Sequence, residues 1–332
     1  MKGNYISAML TILAEMGIDR NSFIEECGIK ESDLRKDNLI GVPELFKLWN
    51  LANLRSKSPG LGLIVGDKLN INTHGSLGYA LMASSTYEEA LRLLAKYYKV
   101  QAPRATFKVN KTPDFYHLIT EPTASLPDAP WFVAEFMVSS IYKSSEFLFS
   151  DDVEGLSVSF SFSAPPHAEM YSQYIRVPFS FDQAFNGLII PKEKAKQPLP
   201  SSDPIAANLF EEQCAQLIKT TESHLISGQI KNLQSQNVGH FLSQTQVAKL
   251  LNMSVSSLHR KLADEGTNYK KIVSGIKKDI AVKQVCDTNL SVEAIAHLLG
   301  FSDASNFRRS FVVWTGIYKK PHQSEKPSVP PT

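Results

Sequence analysis

Apolar residues recur at helical spacing through most of this chain, with an interval near the middle where the period drops to two. Ile6, Met9, Leu10 and Leu13 form a first stripe, and residues 21–27 repeat the pattern. Residues 43–54 place Leu45, Leu48, Trp49 and Ala52 on one helical face, and residues 86–98 do the same with Ala90, Leu91, Leu94 and Tyr97/Tyr98. Ser84-Ser85-Thr86 ahead of Glu88 and Glu89 marks a helix start, because a hydroxyl accepts free amide hydrogens while carboxylates oppose the helix dipole. Residues 105–109 and 115–120 alternate around Pro113-Asp114 as a hairpin does. Leu156, Val158, Phe160 and Phe162 alternate with Ser157, Ser159 and Ser161, which predicts a half-buried strand. Between them, residues 131–149 read as an aromatic-rich helix. Pro198, Pro200 and Pro204 mark the exit from this α+β region, and a helix from 204 to about 226 leads through Gly228 into a region of helices alone.

That last region holds two similar units. In the first, Ser243 or Thr245 caps a helix burying Val247, Ala248, Leu250 and Leu251; Asn252-Met253-Ser254 supplies a turn, and Val255, Leu258 and Leu262 anchor a second helix. Burial of those anchors turns Ser256, Ser257, His259, Arg260 and Lys261 outward. In the second unit Ser291 caps a helix with Ala294, Ile295, Leu298 and Leu299 inward, Gly300 permits the turn and Phe301 plugs the core. A helix starting at Asp303 then buries Phe307, Phe311 and Trp314 and presents Ala304, Ser305, Asn306, Arg308 and Arg309. Each unit is a helix-turn-helix, whose second helix enters a major groove, where cationic and hydrogen-bonding side chains read base edges. The partner read from this pattern is double-stranded DNA. Residues 269–287, with Ile272, Ile276, Ile280 and Val285 at helical spacing and no proline, form one linker helix of about 28 Å at 1.5 Å per residue. Major grooves on one face recur about every 34 Å, so both helices reach successive grooves if the duplex bends slightly or the helices sit askew.

Composition supports two soluble domains: 332 residues, 43% hydrophobic and 20% charged. Charge is divided between them. From Lys231 onward fourteen basic residues face seven acidic ones, a net +7, whereas the preceding 230 residues carry −5. A cationic module on an anionic body suits a polyanion partner. Glu15 interrupts the first apolar run, which excludes a signal peptide, and the most apolar later stretch, around 131–142, contains Glu135, which excludes a membrane span. Cys27, Cys214 and Cys286 are odd in number and far apart, so neither a disulfide framework nor a metal knuckle is expected, and a reducing cytoplasm is the natural location. The eight histidines show no metalloprotease spacing, Gly75-Ser76-Leu77-Gly78 lacks the dinucleotide fingerprint, and no phosphate-binding loop occurs. Asp151-Asp152 and Glu154 read as a solvated turn. Neither catalysis, a metal nor a cofactor is expected.

The chain resembles transcription regulators of the AraC/XylS family. The resemblance rests on residues 254–262, Gly266-Thr267, Ala294-Ile295-Ala296, Leu299-Gly300-Phe301-Ser302, Phe307-Arg308-Arg309-Ser310-Phe311 and Trp314-Thr315-Gly316. It extends more loosely to the family's arabinose-binding-type sensor domain through residues 60–63, 74–80 and 179–181. It implies an α+β sensor domain over residues 1–203, a connecting helix and linker over 204–236, and an all-α DNA-binding domain over 237–318. Ser256, His259 and Arg260, then Ala304, Ser305, Asn306, Arg308 and Arg309, would face base edges. It also implies a small-molecule effector such as a fatty acid, an amino acid or another catabolic metabolite, with RNA polymerase and a second copy of the chain as further partners. Tyr97, Tyr98, Trp131, Phe132, Phe136 and Tyr142 are the aromatic candidates to line its pocket. After Gly316 the chain departs from the family pattern: Ile317-Tyr318-Lys319-Lys320-Pro321 runs into a Ser/Pro/Lys tail, and residues 319–332 are expected to be disordered. The small residues Ala304 and Ser305 and the altered tail leave open an alternative, a sensor or protein-interaction protein whose basic module binds DNA without sequence preference.

Overall fold

The computed structural model describes residues 1–35, 38, 40–102, 105–121, 126–288 and 290–316. The chain divides into two units, the first ending at Ile218 and the second beginning at Lys219. The first opens with α1 (Gly3–Glu15), α2 (Arg20–Cys27), α3 (Val42–Ser56), α4 (Leu61–Lys68), α5 (Ser76–Ala83) and α6 (Tyr87–Tyr97). The start of α6 is where the hydroxyl run predicts it. Thr86 Oγ1 accepts the Glu89 amide hydrogen at 3.2 Å, and the Glu89 carboxylate accepts the Ser85 amide hydrogen at 2.8 Å, satisfying donors the helix cannot pair internally.

The hairpin forms as β1 (Thr106–Lys111) and β2 (Phe115–Glu121), antiparallel with Phe107 opposite Thr120. Then come α7 (Phe132–Leu148), β3 (Ser157–Ser159), α8 (Tyr171–Tyr174), β4 (Phe179–Ser180), β5 (Asn186–Pro191) and α9 (Lys192–Ala195). The sheet is mixed, in the order β1-β2-β5-β3-β4, with β3 and β4 parallel and the other pairs antiparallel. The strand expected across 156–162 is only three residues long. Asn186 Oδ1 takes the Ser161 amide hydrogen at 2.9 Å, so a side chain replaces the ladder there. Phe160 stays fully buried in an aromatic cluster with Tyr171 and Phe181. The helix α7 packs between α4 and the β2/β5 part of the sheet, and Phe132, Tyr142, Leu61, Leu63, Leu118 and Leu188 form the centre of this core.

The division after Ile218 falls inside α10 (Pro204–His224), so the segment expected to be a connector, 204–236, is shared between the units. In the first unit, Glu211 of α10 accepts hydrogen bonds from the Arg92 guanidinium at 3.0 and 3.2 Å, from Lys96 at 3.0 Å and from the Tyr97 hydroxyl at 3.0 Å. These donors, Arg92 foremost, hold the Glu211 carboxyl down at about 2.

The second unit contains α11 (Ile226–Ser235), α12 (Gln244–Leu250), α13 (Val255–Asp264), α14 (Tyr269–Asp287), α15 (Val292–Leu298) and α16 (Ala304–Thr315). Here α11 is built into the helical domain. The Glu265 carboxylate accepts the Ile226 and Ser227 amide hydrogens at 2.7 and 2.9 Å, and fully buried Gln234 exchanges hydrogen bonds with the Leu242 backbone at 2.9 and 3.0 Å. The tail expected to be disordered, 319–332, lies outside the described residues. Among the described residues no helix is long and apolar enough to cross a membrane.

Candidate nucleic-acid interface and effector site

Ser243 caps α12 through a capping box, with its hydroxyl accepting the Gln246 amide hydrogen and the Gln246 carboxamide accepting the Ser243 amide hydrogen. The buried face of α12 is Val247 and Ala248 with Leu251 partly covered. Leu250, expected inward, is 56% exposed. At about 100° per residue the face shared by 247, 248 and 251 lies more than 100° from position 250. The same geometry governs α15, where Ile295, Ala296 and Leu299 are buried and Ala294, expected inward, is exposed. Each turn needs a left-handed residue: Asn252 at φ 53° in the first and Gly300 at φ 66° in the second.

The second helix of each motif is anchored on one side and exposed on the other. In α13, Leu258 and Leu262 have no exposure, while the side chains of Ser256, His259, Arg260 and Lys261 face solvent and make no hydrogen bond among the described residues. Ser257 is half-buried and belongs to the cap: the Ser254 hydroxyl accepts its amide hydrogen at 3.1 Å. In α16, Phe307 is buried, Ser305, Arg308 and Arg309 are exposed, and Ala304 and Asn306 are half-buried. Asp303 accepts the Asn306 amide hydrogen at 2.8 Å. That bond and one from the Ser302 hydroxyl hold the Asp303 carboxyl below its ordinary range. The Asn306 side chain is itself engaged, donating to Ser302 and Asp303 and accepting from Arg309 at 3.2 Å. Arg308 lies 3.6 Å from Glu293 in an exposed ion pair. Linking the motifs, α14 runs unbroken over the 19 residues expected and places Ile272 in the first core and Ala281 in the second.

Residues 17–199 match the arabinose-binding domain of AraC transcription regulators, N-terminal part, and residues 247–318 match a helix-turn-helix domain. The chain belongs to the AraC family of transcription regulators. It carries an N-terminal ligand-binding domain and a C-terminal helix-turn-helix DNA-binding domain. A similar AraC-family relative is the ornithine utilization regulator of Pseudomonas aeruginosa, 29% identical over 314 residues that cover 94% of this chain and 93% of the relative. The regulator VqsM of the same organism is 23% identical over 81% of this chain and 85% of its own length. The crystal structure of the regulator CdpR from Pseudomonas aeruginosa aligns over 90% of this chain and 94% of its own with a TM-score of 0.43 and 22% identity.

In the ligand-binding domain the six candidate aromatics do not form one group. Tyr97 is tied to Glu211, and Tyr98 packs on His74 and Phe107. His74 Nδ1 is hydrogen-bonded to the Tyr5 hydroxyl, and burial lowers the His74 pKa to about 4, so it is a neutral core residue. Tyr142, fully buried, accepts the Arg176 amide hydrogen at 3.1 Å. Phe132 and Phe136 stack on each other, with Trp49 against Phe132, while Trp131 packs on His167. Beside them lies a polar group that no motif marked: Glu135, 1% exposed, accepts hydrogen bonds at 2.6 Å from both His167 Nε2 and the Tyr171 hydroxyl. The other His167 nitrogen, Nδ1, is buried without a partner among the described residues, and the half-buried Trp131 ring stands 5.5 Å from the imidazole. The sequence signal for this cluster was a lone carboxylate inside an apolar helix.

Proposed function

We propose that this regulator reads an operator with α13 and α16 in successive major grooves and that an amino acid bound to the first unit modulates the reading. The observation that carries the DNA half is the pairing of buried Leu258 and Leu262 with exposed Ser256, His259 and Arg260 on the opposite face of a capped helix, repeated in α16 with Arg308 and Arg309. An arginine on an exposed recognition face pairs in bidentate fashion with guanine, a contact of about 1–3 kcal/mol. In α16 the base-reading candidates narrow to Ser305, Arg308 and Arg309, because Asn306 serves the cap and Ala304 carries no polar group. The α14 rod of about 28 Å is shorter than the groove repeat of about 34 Å, so either the bound duplex bends slightly or the two helices sit askew in their grooves.

Arg260→Ala is expected to cost about 1–3 kcal/mol on a duplex selected from a random library and to relax preference at one base position. Lys278→Ala, on the linker helix, weakens all sequences alike if it meets phosphate. Gel-shift titrations across a salt series measure both. Equal losses from Arg260→Ala on selected and random duplex would assign it to the backbone and favour the module without sequence preference.

For the effector, support comes from the Trp131 end of α7. An aromatic face, an unpartnered buried imidazole nitrogen and the Glu135 carboxylate suit a ligand with both an ammonium group and an apolar part. The relative that bears the name of an ornithine regulator is in keeping with that class. Calorimetry of the full chain against ornithine, other amino acids and a fatty acid is expected to give heat with an amino acid, weakened at least about tenfold by Trp131→Ala. Binding of the fatty acid alone would replace the ligand class, and unchanged affinity in Trp131→Ala would move the site. A cytoplasmic location, contact with RNA polymerase and pairing with a second copy of the chain complete the proposal on the strength of the family resemblance.

A further inference from the structure

Between the two cores of the DNA-binding unit sits the Lys277 ammonium. The linker helix gives Ile272 and Ile276 to the first core and Ile280, Ala281 and Val285 to the second, with Lys277 at the junction. The Lys277 ammonium lies 4.8 Å from the ring centre of Phe241 and 4.8 Å from that of Phe301. It is half-buried, and no carboxylate pairs with it among the described residues.

The two rings come from different places. Phe301 follows the Gly300 turn of the second motif and packs on Phe307 and Trp314. Phe241 lies just before the first motif, packs on the second core, and is followed by Leu242, which packs on the first. Neighbouring residues therefore belong to different cores, and the ammonium joins the ring of one to the turn of the other motif. A second latch, Trp314 Nε1 donating to Ser274 Oγ at 2.9 Å, holds the end of α16 to the same helix one turn away. An apolar side chain at 277 would lack the attraction that draws both ring faces toward one point.

We propose that Lys277 is a positioning residue that sets the separation and angle of the two recognition helices by cation–π contact with Phe241 and Phe301, and so sets the half-site spacing the protein accepts. This rests on the two-groove reading above. An inserted base pair moves a half-site by about 3.4 Å and rotates it by roughly a tenth of a turn, so a rigidly held pair of helices discriminates sharply while a loosened pair does not.

The test uses the full chain, as wild type, Lys277→Met, Lys277→Arg and Phe241→Leu, each checked for wild-type circular dichroism. The probes are the duplex selected by the wild type, versions with one base pair added or removed between half-sites, and a duplex with one half-site. Lys277→Met is expected to leave single-half-site affinity within about twofold, to lose about tenfold on the selected duplex and to flatten the spacing preference. Lys277→Arg, which keeps the cation, restores both, and Phe241→Leu reproduces the flattening. A uniform loss on every duplex with a smaller salt slope makes Lys277 a phosphate contact and overturns the proposal, as does an unchanged spacing profile in Lys277→Met. If the wild type itself protects a single groove in a footprint, the two-groove reading fails; if it protects two and Lys277→Met keeps its spacing profile, only the role of Lys277 fails.

Discussion

Replacing Gly66 by valine is expected to destabilise the ligand-binding unit by about 3 kcal/mol or more. The helices α4 and α7 touch through backbone. A Cβ at Gly66 would lie 2.6 Å from Ser139 Cβ, 2.8 Å from the Phe136 carbonyl oxygen and 2.9 Å from the Ser140 nitrogen. One turn earlier, a Cβ at Gly62 would lie 2.5 Å from the Phe132 carbonyl oxygen. Backbone atoms of a neighbouring helix cannot rotate aside, so the two helices must separate. Separation opens the packing around Leu61, Leu63 and Val65, all without exposure, and stretches the 3.0 Å hydrogen bond from Ser139 to the Leu63 carbonyl oxygen. Urea denaturation, followed separately for the two units by hydrogen exchange, measures the cost. A Gly66→Val protein within about 0.5 kcal/mol of wild type would contradict the close approach.

Phe307→Ala is expected to unfold the second helix-turn-helix and leave the first intact. Among the described residues the second core has five buried members, Ala281, Ile295, Ala296, Leu299 and Phe307, and two of them are alanines. Phe307, 2% exposed, meets Phe301 edge-on at 5.6 Å and lies 5.7 Å from Phe311. Removing such a ring costs about 3–5 kcal/mol, and so small a core holds little reserve against it. Amides of α15 and α16 should lose protection from hydrogen exchange while those of α12 and α13 keep it. Loss of one recognition helix should shorten the footprint to one half-site and lower affinity for the selected duplex at least about a hundredfold, toward the non-specific level. Wild-type protection and affinity in Phe307→Ala would show that the second motif does not depend on this ring.

The amino-acid order by itself determined the features that depend on near neighbours in the chain. Residues three or four apart share a helical face, alternate residues share a strand face, and a cap or turn is decided within four positions, so both helix-turn-helix motifs, α14, the β1/β2 hairpin and the start of α6 were legible. Only the tertiary structure decided which long-range partner each face meets. It placed β5 between β2 and β3, moved α11 into the helical unit through Glu265 and Gln234, turned Leu250 and Ala294 outward, and committed Asn306 to a cap. It also drew Glu135, His167 and Tyr171 together in the core and set Lys277 between two rings. The physical reason is that a periodic pattern states how much surface must be buried and on which side. The choice of neighbour depends on shape, charge and hydrogen-bond completion between segments tens of residues apart, and no local spacing encodes it.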